Sequence, residues 1–149
     1  MTEIMFLNHS SVLIKYKNEY LLCDPWNTKP AFGSWLPTFP LFVHPTYIAS
    51  INNLKILISH GHDDHCDDEF LQLFNKNSLI ISSDFVSPSV KNRVKKIGFE
   101  NYISVDEKGK EIGSFHIRSI RNDDISEDDA IYTIKTPDSL IIHANDNWF

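Results

Sequence analysis

His60-Gly61-His62-Asp63-Asp64-His65 places three imidazoles and two carboxylates in six consecutive residues. Borderline metals such as zinc take nitrogen and carboxylate oxygen donors at about 2.0–2.2 Å, so side chains that bind one ion must converge. The apolar run Leu54-Lys55-Ile56-Leu57-Ile58 just before the segment reads as a strand that delivers the chain into it. In an extended or turn-like loop alternate residues point the same way, so His60 and His62 can grip one ion. Asp64 and His65 then face another direction and suit a second. Gly61 is expected to let the backbone bend between the two histidines. The spacing differs from the helical His-Glu-x-x-His of zinc proteases. A lone loop histidine is ordinarily solvated, but this density of imidazoles and carboxylates is costly without a cation.

The 149 residues suit one domain spanning 1–149; 42% are hydrophobic and 23% charged, which fits a folded globular chain. Fourteen Lys and Arg against twenty Asp and Glu give a net charge of −6, which disfavours a nucleic-acid surface. No apolar run reaches the roughly 20 residues of a membrane span, and no secretory signal is visible, so a cytoplasmic protein with a small-molecule substrate is expected. Two cysteines, Cys23 and Cys66, are too few for a disulfide framework and are expected to be thiols.

Phe6-Leu7, Val12-Leu13-Ile14 and Tyr20 to Cys23 read as short strands with a turn at Lys17-Asn18-Glu19. Residues 24–46 hold five of the seven prolines and should be irregular. Asp67 or Asp68 can cap a helix running to about Asn75, and Leu79-Ile80-Ile81 is another strand. Ser87-Pro88 opens a second helix that Gly98 closes. Tyr102 to Val105, Glu111 to Ile120, Ala130 to Lys135 and Ser139 to His143 read as further strands. The order predicts a mixed α/β layered domain.

The pattern His-x-His-x-Asp-His after a strand resembles the signature of metallo-β-lactamase-fold hydrolases. Asn8-His9-Ser10-Ser11 followed by Cys23-Asp24-Pro25-Trp26 is similar to the opening of their lactonase-like branch. Ile141-Ile142-His143-Ala144-Asn145-Asp146 is similar to the strand that ends in the metal-bridging Asp, with Asn145 where Gly is usual. The first motifs also resemble the corresponding domain of CMP-N-acetylneuraminate hydroxylases. The resemblance implies an αββα layered sandwich and two metal ions, with zinc first and manganese or iron next. His60 and His62 would bind one ion, Asp64 and His65 the other, and Asp146 would bridge them. A water held between two cations ionises near neutral pH, which implies hydrolysis of an ester, lactone or phosphoester, with sugar derivatives among the candidates. Asp64 would also orient the nucleophile, and His9, Asp24 and His143 would support ligand imidazoles by hydrogen bonds.

Two departures qualify this. The family's further His for the first ion is absent, leaving Asp123, Asp124 or Asp129 as oxygen substitutes that would favour manganese or iron(II). The chain also ends three residues after Asp146, so an incomplete sheet covered by self-association as a homo-oligomer is expected. The alternative function is a non-catalytic metal-binding or interaction domain. Iron–sulfur redox chemistry is set aside because Cys23 and Cys66 cannot supply a cluster. Trp26, Phe32, Trp35, Phe39 and Phe42 are the expected wall of a substrate cleft.

Overall fold

Three N-terminal strands, β1 (Thr2–Asn8), β2 (Ser11–Tyr16) and β3 (Glu19–Cys23), pair antiparallel through tight turns. β3 then pairs in parallel with β4 (Leu54–Leu57), β4 with β5 (Leu79–Ser83), and β5 with β6 (Tyr102–Val105). The resulting six-stranded sheet has the order β1-β2-β3-β4-β5-β6. A second, antiparallel sheet has the order β10-β9-β8-β7. Its strands are β7 (Lys110–Ile112), β8 (Phe115–Arg121), β9 (Ala130–Lys135) and β10 (Leu140–His143). The computed structural model describes residues 1–27, 29–37, 41, 43–85, 87–121 and 129–146.

Neighbouring residues of a strand point to opposite faces, and in the middle of the first sheet both faces are buried, which is why β3, β4 and β5 carry the apolar pairs Leu21-Leu22, Ile56-Leu57 and Ile80-Ile81. Leu13, Leu22, Ile56 and Ile80 pack against the helices α1 (Pro45–Ala49), α2 (Asp68–Gln72) and α3 (Ser89–Ile97), through Ile48, Phe70, Leu71, Val90 and Val94. Their chain neighbours Ile14, Leu21, Leu57 and Ile81 face the second sheet, meeting Phe115, Ile117, Tyr132 and Ile134. The described residues therefore build a helix layer and two sheets of the αββα sandwich.

Several local expectations change. The strand expected from Glu111 to Ile120 breaks at Gly113, which adopts φ +64°. A Cβ there would meet Glu19 Oε2, because the Glu19 carboxylate crosses between the sheets to accept from Ser114 N and Oγ. A short helix, α1, forms at the end of the proline-rich segment; Pro45 occupies its first turn, where a missing N–H costs nothing. Pro88, not Ser87, is the cap of α3, and Ser87 Oγ accepts from Ser89 N outside the helix. α2 is capped by Asp67, as expected, but stops at Gln72.

Thr2 ties the two sheets by bonding to Thr136 and Asp138. Ile4 and Phe6 on the edge strand β1 and Leu140 and Ile142 on the edge strand β10 are exposed. Among the described residues no helix is long and apolar enough to cross a membrane.

Candidate metal centre

The sheet topology brings distant residues to one edge. β1 runs antiparallel to β2 and β2 to β3, so β1, β3 and β4 all end on the same side. His9 follows β1, Asp24 follows β3, and Ser59 to His65 follow β4. β10 reaches the same place from the second sheet, because His143 Nε2 lies 2.8 Å from Asp24 Oδ2. Asp146 stands just beyond it.

Two groups of ligand atoms converge there, each within 4.8 Å: His60, His62 and Asp146, and His9, His65 and Asp146. Asp146 belongs to both. In the first group, His60 Nε2 stands 2.9 Å from His62 Nδ1 and 3.8 Å from Asp146 Oδ2. In the second, His65 Nε2 stands 3.3 Å from Asp146 Oδ2 and 3.7 Å from Asp64 Oδ2. None of those contacts gives His65 Nε2 a hydrogen bond, and Asp64 Oδ1 is likewise buried without a partner. An unpaired buried lone pair is costly, and a cation would satisfy that of His65 Nε2, so the two converging donor groups fit divalent ions.

Asp24 organises the site from beneath. Fully buried, it accepts from Ser59 N and Ser59 Oγ, both at 2.7 Å, and contacts His65 Nδ1 at 2.9 Å as well as His143. Burial opposes its charge, but His143 and His65 hold its carboxyl far below the usual range. With Nδ1 of His65 turned to Asp24, Nε2 faces the carboxylates. Burial also resists protonation of His65, yet Asp24, Asp146 and Asp64 push it up to about 10. His60 goes the other way, to about 4, through burial and the neighbouring His65. Asp146 is lowered by its interaction with His65. Asp64 is lowered too: burial opposes its charge, but the bond from His9 and the nearby charge of His65 together prevail.

The His loop is clamped from outside by Arg93 of α3, which donates to Asp63, Asp68 and the Gly61 carbonyl. Three residues around the cluster adopt left-handed backbone: His9 (φ +42°), Asp24 (+46°) and Asn145 (+43°). Such conformations cost about 1–2 kcal/mol for a residue with a Cβ and concentrate at functional sites.

The profile of the beta-lactamase superfamily domain matches residues 3–146. This chain belongs to the beta-lactamase superfamily. A Mycobacterium tuberculosis protein named as a Rieske 2Fe-2S iron–sulfur protein is 30% identical over 109 residues, 72% of this chain and 21% of the relative. A Mycolicibacterium smegmatis protein of the same description is 29% identical over the same shares. The chain thus spans about a fifth of the length of the curated relatives it matches. Among solved structures, a possible metal-dependent hydrolase of Veillonella parvula superposes with TM-score 0.81 at 16% identity, over 100% of this chain and 64% of the other. CmlA, a diiron β-hydroxylase of Streptomyces venezuelae, gives 0.76 at 16% over 98% and 30%. An isothiocyanate hydrolase from Delia radicum gut bacteria gives 0.70 at 18% over 95% and 61%. At these identities the likeness is one of fold.

Within the superfamily frame, the structure gathers His60, His62, Asp64, His65 and Asp146, and sets Asp24 and His143 behind them. Asn145 replaces the usual Gly at a left-handed position, which Asn tolerates best among residues with a Cβ; its side chain donates to Ala130 O at 2.7 Å. Asp129 is not aimed at the ion positions. It lies 3.4 Å from His60 Nδ1, the ring edge opposite the cluster, and burial pushes its carboxyl up to about 6. Asp123 and Asp124 lie outside the described residues, as do Phe39 and Phe42. Trp26 is core rather than cleft wall, buried with its Nε1 donating to Lys29 O. Phe32 and Trp35 are exposed, and the Phe32 ring stands 5.3 Å from that of His62. Gly61 is not conformationally required: a Cβ there would meet only Val90 and Ser89 at ordinary contact distance.

Arg93 and Ser59 escaped the sequence reading. Ser59 directly precedes the first histidine at a strand end, a position that could have signalled it; Arg93, thirty residues on, gave none.

Proposed function

We propose that this chain is a metal-dependent hydrolase acting on an ester, lactone or phosphoester, with sugar derivatives among the candidates. The single observation that carries this is Asp146, shared by two sets of converging imidazoles, the arrangement expected of a carboxylate between two ions. Zinc is the first candidate from the nitrogen and oxygen donors, with manganese and iron next. Bound divalent ions would supply Lewis acidity and bring the pKa of a coordinated water down to about 7.

The chain's own residues do the rest. Asp64 turns Oδ2 to His9 and leaves the buried Oδ1 unpartnered, so one oxygen is available to orient the proton of an attacking water. Asp24, Ser59 and His143 fix the imidazole of His65, so little reorganisation accompanies reaction. Phe32 and Trp35 offer an apolar wall beside His62 for the substrate's carbon skeleton.

The test loads the stripped chain with zinc, manganese or iron(II) and assays lactones, aryl esters and phosphodiesters. Turnover that chelation abolishes and metal restores supports the proposal. Two bound ions without turnover on any class would instead make this a metal-holding module.

A further inference from the structure

We infer that His9 is a direct ligand of the second ion, completing a four-donor set with Asp64, His65 and Asp146, and not merely a hydrogen-bond partner of other ligands. The inference rests on the two-ion reading proposed above. Four ligands at about 2.0–2.2 Å from a tetrahedral ion stand about 3.3–3.6 Å from one another. Here His9 Nε2 is 3.1 Å from Asp64 Oδ2, His65 Nε2 is 3.7 Å from the same oxygen, and His65 Nε2 is 3.3 Å from Asp146 Oδ2. These are close to the edges of such a tetrahedron. A bond from His9 to Asp64 alone would explain the first distance. It would not require His9 to converge with His65 and Asp146 as well, yet ligand atoms of all three lie within 4.8 Å.

The chain also accepts strain to aim this ring. His9 holds φ +42° in the two-residue turn between β1 and β2, where Gly or Asn would cost less. The turn is locked against the Asp24–Trp26 segment: Asn8 Nδ2 donates to Trp26 O, and Ser11 Oγ accepts from Trp26 N and donates to Asp24 O. Trp26 and His65 meet the His9 ring edge-on at 5.2 and 5.3 Å. The imidazole is therefore positioned before any ion arrives, as ligands of a preformed site are.

The test uses the whole chain labelled with 15N-histidine and loaded with 113Cd. Direct ligation predicts scalar coupling from cadmium to four imidazoles, of His9, His60, His62 and His65. In His9→Asn, chosen because Asn accepts the left-handed turn, the His9 coupling disappears. The affinity for one of the two ions falls about 100-fold or more, while the urea midpoint without metal stays near wild type. Coupling to only three imidazoles in the wild type, with two cadmium ions bound, overturns the role given to His9 and leaves the two-ion reading intact. Fewer than two cadmium ions per chain overturns both.

Discussion

Asp24→Asn removes one charge and almost no volume, so its effect isolates what the carboxylate does. Asp24 Oδ1 accepts from Ser59 N, while Oδ2 meets Ser59 Oγ, His65 Nδ1 and His143 Nε2. An amide has one oxygen for these two groups of partners. If the oxygen stays with the histidines, its NH2 confronts the Ser59 N–H, leaving a buried donor unsatisfied at a cost of about 1–3 kcal/mol. If the amide flips, His65 must turn a lone pair to it and carry its proton on Nε2, the atom facing Asp64 and Asp146. Either way two charge-assisted bonds are weakened, and breaking a buried ionic pair costs about 3–5 kcal/mol. Backbone strain does not add to this, because Asn tolerates the φ of +46° at this position. Urea unfolding of the chelated protein, followed by tryptophan fluorescence, should therefore show a loss of about 3–5 kcal/mol. Zinc affinity should fall about 10–100-fold, as when a ligand's hydrogen-bond partner is removed. A variant within about 1 kcal/mol of wild type that binds zinc equally tightly would refute the reasoning.

Other substitutions probe the same frame. Gly61→Ala should change urea stability by under about 0.5 kcal/mol, since its Cβ would meet only ordinary contacts; a large loss would mean the His loop is tighter than its geometry shows. Arg93→Lys should cost about 1.5–3 kcal/mol, because an ammonium cannot reach Asp63, Asp68 and the Gly61 carbonyl in one plane; an unchanged urea midpoint would remove the clamp from the account. Lys55 and Ser114 hold Glu19 below its ordinary 4.5 against its partial burial. A depressed carboxyl contributes stability above its unfolded pKa and loses it as pH falls through the folded value. Wild type should therefore weaken more steeply than Glu19→Gln when urea midpoints are compared from about pH 5 down to pH 3, and parallel curves would contradict it.

What the sequence disclosed depended on how local the signal was. The His loop is contiguous, and the strand before it is a plain apolar run, so the cluster could be located without coordinates. The two-faced burial of Ile56-Leu57 and Ile80-Ile81 was equally visible as unbroken apolar pairs. Asp146 was reached through resemblance, because nothing in its own neighbours marks a ligand. His9 was placed beside the ligand imidazoles only through resemblance; its contact with His65 follows from the order of strands, β1 and β3 running the same way. Arg93 was hidden for the same reason, its partners being fixed by how α3 packs beside the loop. Gly113 was hidden inside a strand pattern because its left-handed φ of +64° belongs to the turn between β7 and β8, which the residues around it do not mark.

In the proposed site Asp146 is shared between two ions. Zinc titration of the stripped chain against a competing chelator, alongside Asp146→Ala, measures this sharing. Two equivalents per wild-type chain are expected, with both affinities weakened by the substitution. A single equivalent in the wild type, or an Asp146→Ala chain that loses affinity at only one site, would contradict it.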